Sequence, residues 1–129
     1  MVAKNPYAQY KEQSLSTLAP GEVLVKLFDE LLKQNNVAVK AIEGKDYALA
    51  NDSLTKAQTI LGTLASSLDM RYPISANLRD LYIFLSQQLL KANMRKDVKI
   101  VNECIPLMRD LRDSFEQAEK ISRKQHAGG

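Results

Sequence analysis

The chain has 129 residues, enough for one domain with a single buried core. With 45% hydrophobic residues and only 5 Gly and 4 Pro, its composition is that of a compact chain rather than a disordered one. A formal net charge of +3, from 18 basic and 15 acidic residues, is too mild and too mixed to argue for nucleic acid.

The first residues, MVAKNPYAQYKEQS, have no apolar core and do not read as a secretory signal. No uncharged apolar run approaches the ~20 residues of a membrane span, and a lone Cys104 cannot form an internal disulfide. The expectation is a cytoplasmic protein without stable membrane insertion.

In chain order, a polar, flexible arm over residues 1–18 comes first. Pro20 suits the first position of a helix, and Glu22 complements the positive end of its dipole. Leu24, Phe28, Leu31, Ala38 and Ile42 then recur at helical spacing. Gly44 is expected to make the left-handed turn and Asp46 to cap the second helix. That helix carries the cleanest seam: Tyr47, Ala50, Leu54, Ala57, Leu61, Leu64 and Leu68 step by three and four. Pro73 ends it by disfavouring helix at Tyr72, and Ser75 is the expected cap of the third helix. Leu78, Leu81, Tyr82, Leu85, Leu89 and Ala92 form the third stripe, with Asn93 and Asp97 bracketing a turn. The fourth helix carries Val101, Cys104, Met108, Leu111, Phe115 and Ala118. Its seam keeps phase across Pro106, which predicts a kink rather than two helices.

Connections of roughly three, five and five residues force antiparallel neighbours. The fold class is therefore all-α, an up-down antiparallel four-helix bundle over residues 19–124, with a disordered tail over 125–129. Three helices are wider in apolar surface than a seam requires: Val25, Leu32 and Val39 on the first, Ile83, Leu90 and Met94 on the third, Ile100, Ile105 and Leu107 on the fourth. Such surplus points to a partner.

Parts for chemistry are missing. The single histidine, His126, lies in the tail, Cys104 falls on a core stripe, and Asp29, Glu30, Asp110 and Asp113 fall on polar faces. Nothing calls for a cofactor or metal, and the expected activity is binding, not catalysis. The basic cluster Lys91, Arg95, Lys96 and Lys99 reads as a solvated face.

Several motifs, in order, resemble the FliS family of flagellin export chaperones: NPYAQY (5–10), APGEVLVKLFDELL (19–32), LTKAQTILGTLASSLDM (54–70), ISANLRDLYIFLSQQLLKANMRKD (74–97) and RDLRDSF (109–115). The chain departs from the family at Ala19, where Ser or Thr usually precedes the proline, at Phe115, where Trp is usual, and at Pro106. The resemblance implies a cytoplasmic chaperone that binds the C-terminal segment of flagellin, prevents its premature polymerisation and delivers it to the flagellar export gate. It implies a groove that takes an amphipathic segment folding on binding. The residues expected to meet the partner are Tyr7, Tyr10, Leu61, Leu68, Asn77, Leu78, Leu81, Tyr82, Ile83, Leu90 and Met94, with the two arm tyrosines acting as a removable lid. A homodimer is compatible with such faces. A helical adaptor that docks some other amphipathic helix is the alternative.

Overall fold

The structure, a computed structural model, describes residues 20–128. Four helices make up the described residues: α1 (Pro20–Glu43), α2 (Tyr47–Ser66), α3 (Pro73–Arg95) and α4 (Val98–Gly128). Residues 125–128, expected in the tail, continue α4 as helical backbone. The expected arm and its Tyr7 and Tyr10 lie outside the described residues.

The helices pack as a closed square in which α1 meets α2 and α4, and α3 meets α2 and α4. Cross-helix bonds fix the direction. Asn51 pairs with Asn93 and Gln58 with Ser86 between α2 and α3, while Glu22 pairs with Arg123 and Asp29 with Arg112 between α1 and α4. Numbers rise along one helix as they fall along its neighbour, so both pairs are antiparallel, as the short loops require.

The helix ends follow local chemistry, with three shifts from expectation. Asp46 caps α2 as expected, its Oδ1 accepting from the Leu49 N–H at 3.1 Å. The left-handed residue after α1, however, is Lys45 (φ 60°), not Gly44. Asp46 N–H donates to Ala41 O and Lys45 N–H to Ile42 O, a Schellman pattern that puts the strained conformation one residue beyond the glycine. Lys96 takes the same conformation (φ 51°) after α3, so only Lys96 and Asp97 connect α3 to α4, a shorter link than expected.

Between α2 and α3, Pro73 is the first residue of the new helix and Tyr72 its extended N-cap. Ser75 is therefore not the cap: it sits in the first turn and its hydroxyl donates to Asp69 O at 2.6 Å. In α4 the helix is continuous through Pro106, so it is a single helix, as expected from the phase of its stripe.

The core repeats most of the expected stripes, but Tyr47, 48% exposed, and Ala118 turn to solvent. Phe28, Leu31, Leu54, Leu61, Leu64, Tyr82, Leu85, Leu89, Val101 and Met108 are fully buried, and the Phe28 ring reaches across the square to within 6.3 Å of the Tyr82 ring centre. One polar side chain breaks the α1 stripe. Asn35 is fully buried; its amide nitrogen donates to Leu31 O at 2.8 Å and lies 3.4 Å from Met108 Sδ, and its Oδ1 has no partner.

Packing is uneven along the bundle axis. At the end formed by the α2–α1 and α3–α4 turns, Ala38, Ala41, Ala50, Ala92, Val101 and Cys104 are sealed. At the other end, where α1 begins, Val23, Leu24, Leu68, Leu78, Leu111 and Phe115 are only partly covered. The first end is closed by small residues that let the helices approach; the second stays open.

Candidate functional site

The surface apolar residues are concentrated on and around α3. Ile74, Ile83, Phe84, Leu90 and Met94 are exposed, Met94 at 78%, and Met70 and Tyr72 just before the helix are exposed as well. A helix that buries Tyr82, Leu85, Leu89 and Ala92 on one side and leaves this many large apolar side chains in water on the other has surface to offer a partner.

At 100° per residue these side chains separate into two sets. The bonds Gln58 Nε2 to Ser86 O (3.2 Å) and Asn93 Nδ2 to Asn51 Oδ1 (2.8 Å) mark the side of α3 that faces α2. Ile83, Leu90 and Met94 share that flank, outside the bonds. Leu81, Phe84 and Ile74 turn the other way, toward α4. There they face the side of α4 that carries Leu107 (40% exposed), Leu111 and Ile121, because Met108 and Arg112 mark the opposite side by bonding to α1.

The α3–α4 flank forms an apolar groove that runs to the open end. Leu78, Leu81, Leu111 and Phe115 are its half-buried floor, and Phe84, Leu107, Ile74 and Ile121 its exposed walls. Among the described residues no hydrogen bond or ion pair crosses from α3 to α4. Phe115, standing where the resemblance expects Trp, stacks on Phe28 with ring centres 5.4 Å apart. It thus ties the floor of the groove to the centre of the core.

The α2–α3 flank has another character. Residues 57–68 of the sequence contain no charge. Along the outer face of α2, Thr59, Thr63 and Ser66 turn their hydroxyls back onto the carbonyls of Thr55, Thr59 and Gly62, and a side chain at Gly62 would meet nothing within 4 Å. The wall is flat, and its polar groups are already satisfied.

The expected partner residues therefore divide. Leu61 and Tyr82 are core residues, 1% and 2% exposed, and present no surface to a partner in this conformation. Burial pushes the Tyr82 hydroxyl up to about 12. Asn77, Leu78 and Leu81 are on the α4 side, with Asn77 exposed; Ile83, Leu90 and Met94 are on the α2 side; Leu68 is half-buried at the open end. The expectation missed Ile74, Phe84 and Ile121; of the surplus apolar positions expected on the last helix, Leu107 is exposed whereas Ile100 and Ile105 are buried. Their signal was legible as apolar positions out of phase with the core stripe, at Phe84 and Ile121 especially.

Elsewhere the surface is built for cohesion. Arg112 bonds Asp29 at 2.8 Å, Asp113 at 3.2 Å and Glu116 at 3.0 Å, and these carboxylates, Asp29 first, hold its guanidinium more firmly protonated. Arg123 grips Glu119 through two 2.6 Å bonds, which keeps that carboxyl below its usual range. Cys104 is buried, and burial, with Glu103 adding to it, pushes its thiol up to about 11, far from the poise of a nucleophile. No helix among the described residues is long and apolar enough to cross a membrane.

Comparison with known proteins gives a consistent result. The family model described as "Flagellar protein FliS" matches residues 3–122. The "Flagellar secretion chaperone FliS" of Bacillus subtilis (strain 168) is 33% identical over 128 residues, covering 99% of this chain and 96% of that protein. The proteins of the same name from Escherichia coli (strain K12) and Salmonella typhimurium are 30% and 29% identical, covering 87% and 86% of this chain and 85% of each relative.

Proposed function

This chain belongs to the FliS family of flagellar secretion chaperones, and from that premise we propose that it binds the C-terminal segment of flagellin in the cytoplasm, holds it unpolymerised and presents it to the flagellar export gate. The observation that carries the reading is the α3–α4 groove: apolar floor and walls, open at one end, with no polar bond across it among the described residues. An amphipathic segment laid there replaces water on both sides of the seam and breaks nothing.

Binding is helix-in-groove, and the ordering of the flagellin segment offsets part of the gain from burial. Leu78, Leu81 and Phe84 meet it from α3 and Leu107 and Leu111 from α4, with Asn77 at the rim. Tyr7 and Tyr10 of the arm are its intramolecular competitors, a role that rests on the family resemblance. The chain enters α1 at the open end, next to the groove the arm would cover.

Titration with a synthetic peptide of the cognate flagellin C-terminus, followed by calorimetry, tests this. A one-to-one complex with a negative heat-capacity change is expected, together with a gain in helix. Phe84→Ser with Leu107→Ser should weaken it at least about tenfold while thermal stability stays within about 0.5 kcal/mol, because both side chains are already exposed. No binding at high micromolar peptide would sink the chaperone reading. Equal binding of an unrelated amphipathic helix would favour a general helical adaptor.

A further inference from the structure

The sealed end of the bundle carries a charge pattern that the cargo groove leaves unused. Two connections meet there, residues 44–46 between α1 and α2 and residues 96–97 between α3 and α4. Each puts a lysine in the left-handed conformation, Lys45 at φ 60° and Lys96 at φ 51°. That conformation favours glycine and strains a residue with a side chain, yet the first turn uses Lys45 although Gly44 stands beside it. Strain of this kind is retained where the surroundings or a function require it. Lys40, Lys91, Arg95 and Lys99 lie within about 6 Å of a helix end here, at 1.5 Å per residue.

Among the described residues none of these six cations forms an ion pair, whereas Arg71, Arg112, Lys120 and Arg123, farther along the bundle, are all paired. Three acids share the end. Asp46 and Asp97 turn an oxygen to the N–H groups of Leu49 and Lys99, and Glu43 is exposed. Six cations against three acids leave an excess of three, as large as the formal charge of the whole chain. The next acids inward are Asp52, paired with Lys56, and Glu103, one turn beyond Lys99. Helix dipoles account for part of the excess: Lys40 and Arg95 lie in the last turns of α1 and α3, and Lys96 Nζ closes on Asn93 O at 2.6 Å. They do not account for Lys91, or for Lys99 in the first turn of α4, where the dipole disfavours a cation and no acid lies. Exposed Tyr47, Leu49 and Met94 interleave with the charges.

We propose that this end of the bundle makes reversible contact with an anionic phospholipid surface. The lysines meet headgroup phosphates, and Tyr47 and Met94 enter the boundary beneath them. An acidic helix needs a groove to lie in, whereas two short turns make an end. A nucleic-acid backbone gives Leu49 and Met94 nothing apolar to meet; the boundary between headgroups and acyl chains takes both. The contact is peripheral, since no helix among the described residues is long and apolar enough to cross a membrane. Phe84, in the wall of the cargo groove, stands about 16 Å back from Arg95, so the contact leaves that part of the groove clear of the bilayer.

The test is co-sedimentation of the full chain with vesicles of phosphatidylglycerol and phosphatidylcholine in equal parts, against phosphatidylcholine alone. Binding is expected to the anionic vesicles only, and to be lost in about 0.5 M salt. Lys45→Asn with Lys91→Gln and Lys99→Gln, where asparagine tolerates the left-handed turn, should weaken it about thirtyfold or more. Lys26→Gln with Lys33→Gln and Lys120→Gln removes the same charge elsewhere and should change it less than about threefold. Met94→Ser should weaken binding and leave its salt dependence unchanged. Circular dichroism establishes that each variant is folded, all these side chains being exposed. Equal weakening by the two triple variants overturns the proposal, because it marks attraction by net charge alone. Absence of binding to the anionic vesicles in about 0.05 M salt overturns it as well. Tighter binding of polyglutamate or RNA than of vesicles, lost in the first triple variant, overturns it in favour of an acidic polymer.

Discussion

The two walls that α4 makes with its neighbours are built on different principles. Against α1 it is clamped: Arg112 to Asp29, Arg123 to Glu22, Asn35 to Met108, and Phe115 stacked on Phe28. At the top of this wall a side chain on Gly21 would lie 2.6 Å from Glu119 Cγ, so the helices approach as closely as a glycine allows. Against α3 the approach is sparser and only apolar surface meets, much of it half-buried. The difference teaches where the molecule keeps its shape and where it accepts company. A wall with directed bonds has one geometry, whereas an apolar seam can admit another apolar side chain with no bond to break.

Core truncation gives the widest separation between the walls. Phe28→Ala, which empties a fully buried site touching both Phe115 and Tyr82, should cost about 3–5 kcal/mol by denaturant unfolding. Leu81→Ala, on the half-buried seam, should cost at least about 1 kcal/mol less. Equal losses would mean that the α3–α4 seam is as tightly sealed as the other.

Next in size is a gain. Asn35 is a flaw inside the clamped wall, because its buried Oδ1 bonds to nothing. Asn35→Leu should stabilise the bundle by about 1–2 kcal/mol, read as a shifted urea midpoint with unchanged slope. A loss would show that the amide selects the alignment of α1 and α4 instead of merely tolerating it.

Arg112→Ala should cost about 1 kcal/mol or less, since the partners Asp29 and Asp113 are well exposed, and the loss should shrink in 1 M salt. A salt-independent loss would assign the clamp to the packing of the arginine stem.

The smallest effect at neutral pH comes from the two buried acids. Cys104 and Tyr82 have folded values raised to about 11 and about 12 from ordinary values of 9.0 and 10.0. A raised folded value means that the native state holds its proton longer. Their contribution is therefore constant below about pH 9 and falls as pH rises from there toward 12. Thermal unfolding across pH 8–12 should show this alkaline loss, and Cys104→Ala should remove its lower portion.

Much of the fold was legible because heptad phase is a strong signal: Leu54, Leu61, Leu64, Leu85, Leu89, Val101 and Met108 are all buried where their spacing puts them. Phase also misled by omission. Asn35 falls four residues after Leu31 on the same stripe, yet its polarity hid it from a reading that counts apolar side chains. Turn chemistry was legible to within a residue: Gly44 marked the end of α1, but the Schellman bonds put the left-handed conformation on Lys45. The candidate site was half legible. Exposed Leu90 and Met94 were apparent from their phase opposite Leu85, whereas assigning Phe84 and Leu107 to one groove required knowing which side of each helix meets which neighbour. That information lies in the pairing of helices and not in any single one.

The buried thiol of Cys104 has a practical consequence. It is the only cysteine in the chain, it lies in the stripe of α4 that looks into the square, and it is closed to solvent in the folded protein. An alkylating reagent can reach it only during moments when the bundle parts. Nature has thus placed a stopwatch inside the chaperone: the rate at which the native, unmutated protein takes up label counts how often it opens, and a cargo peptide that grips the helices should slow the count.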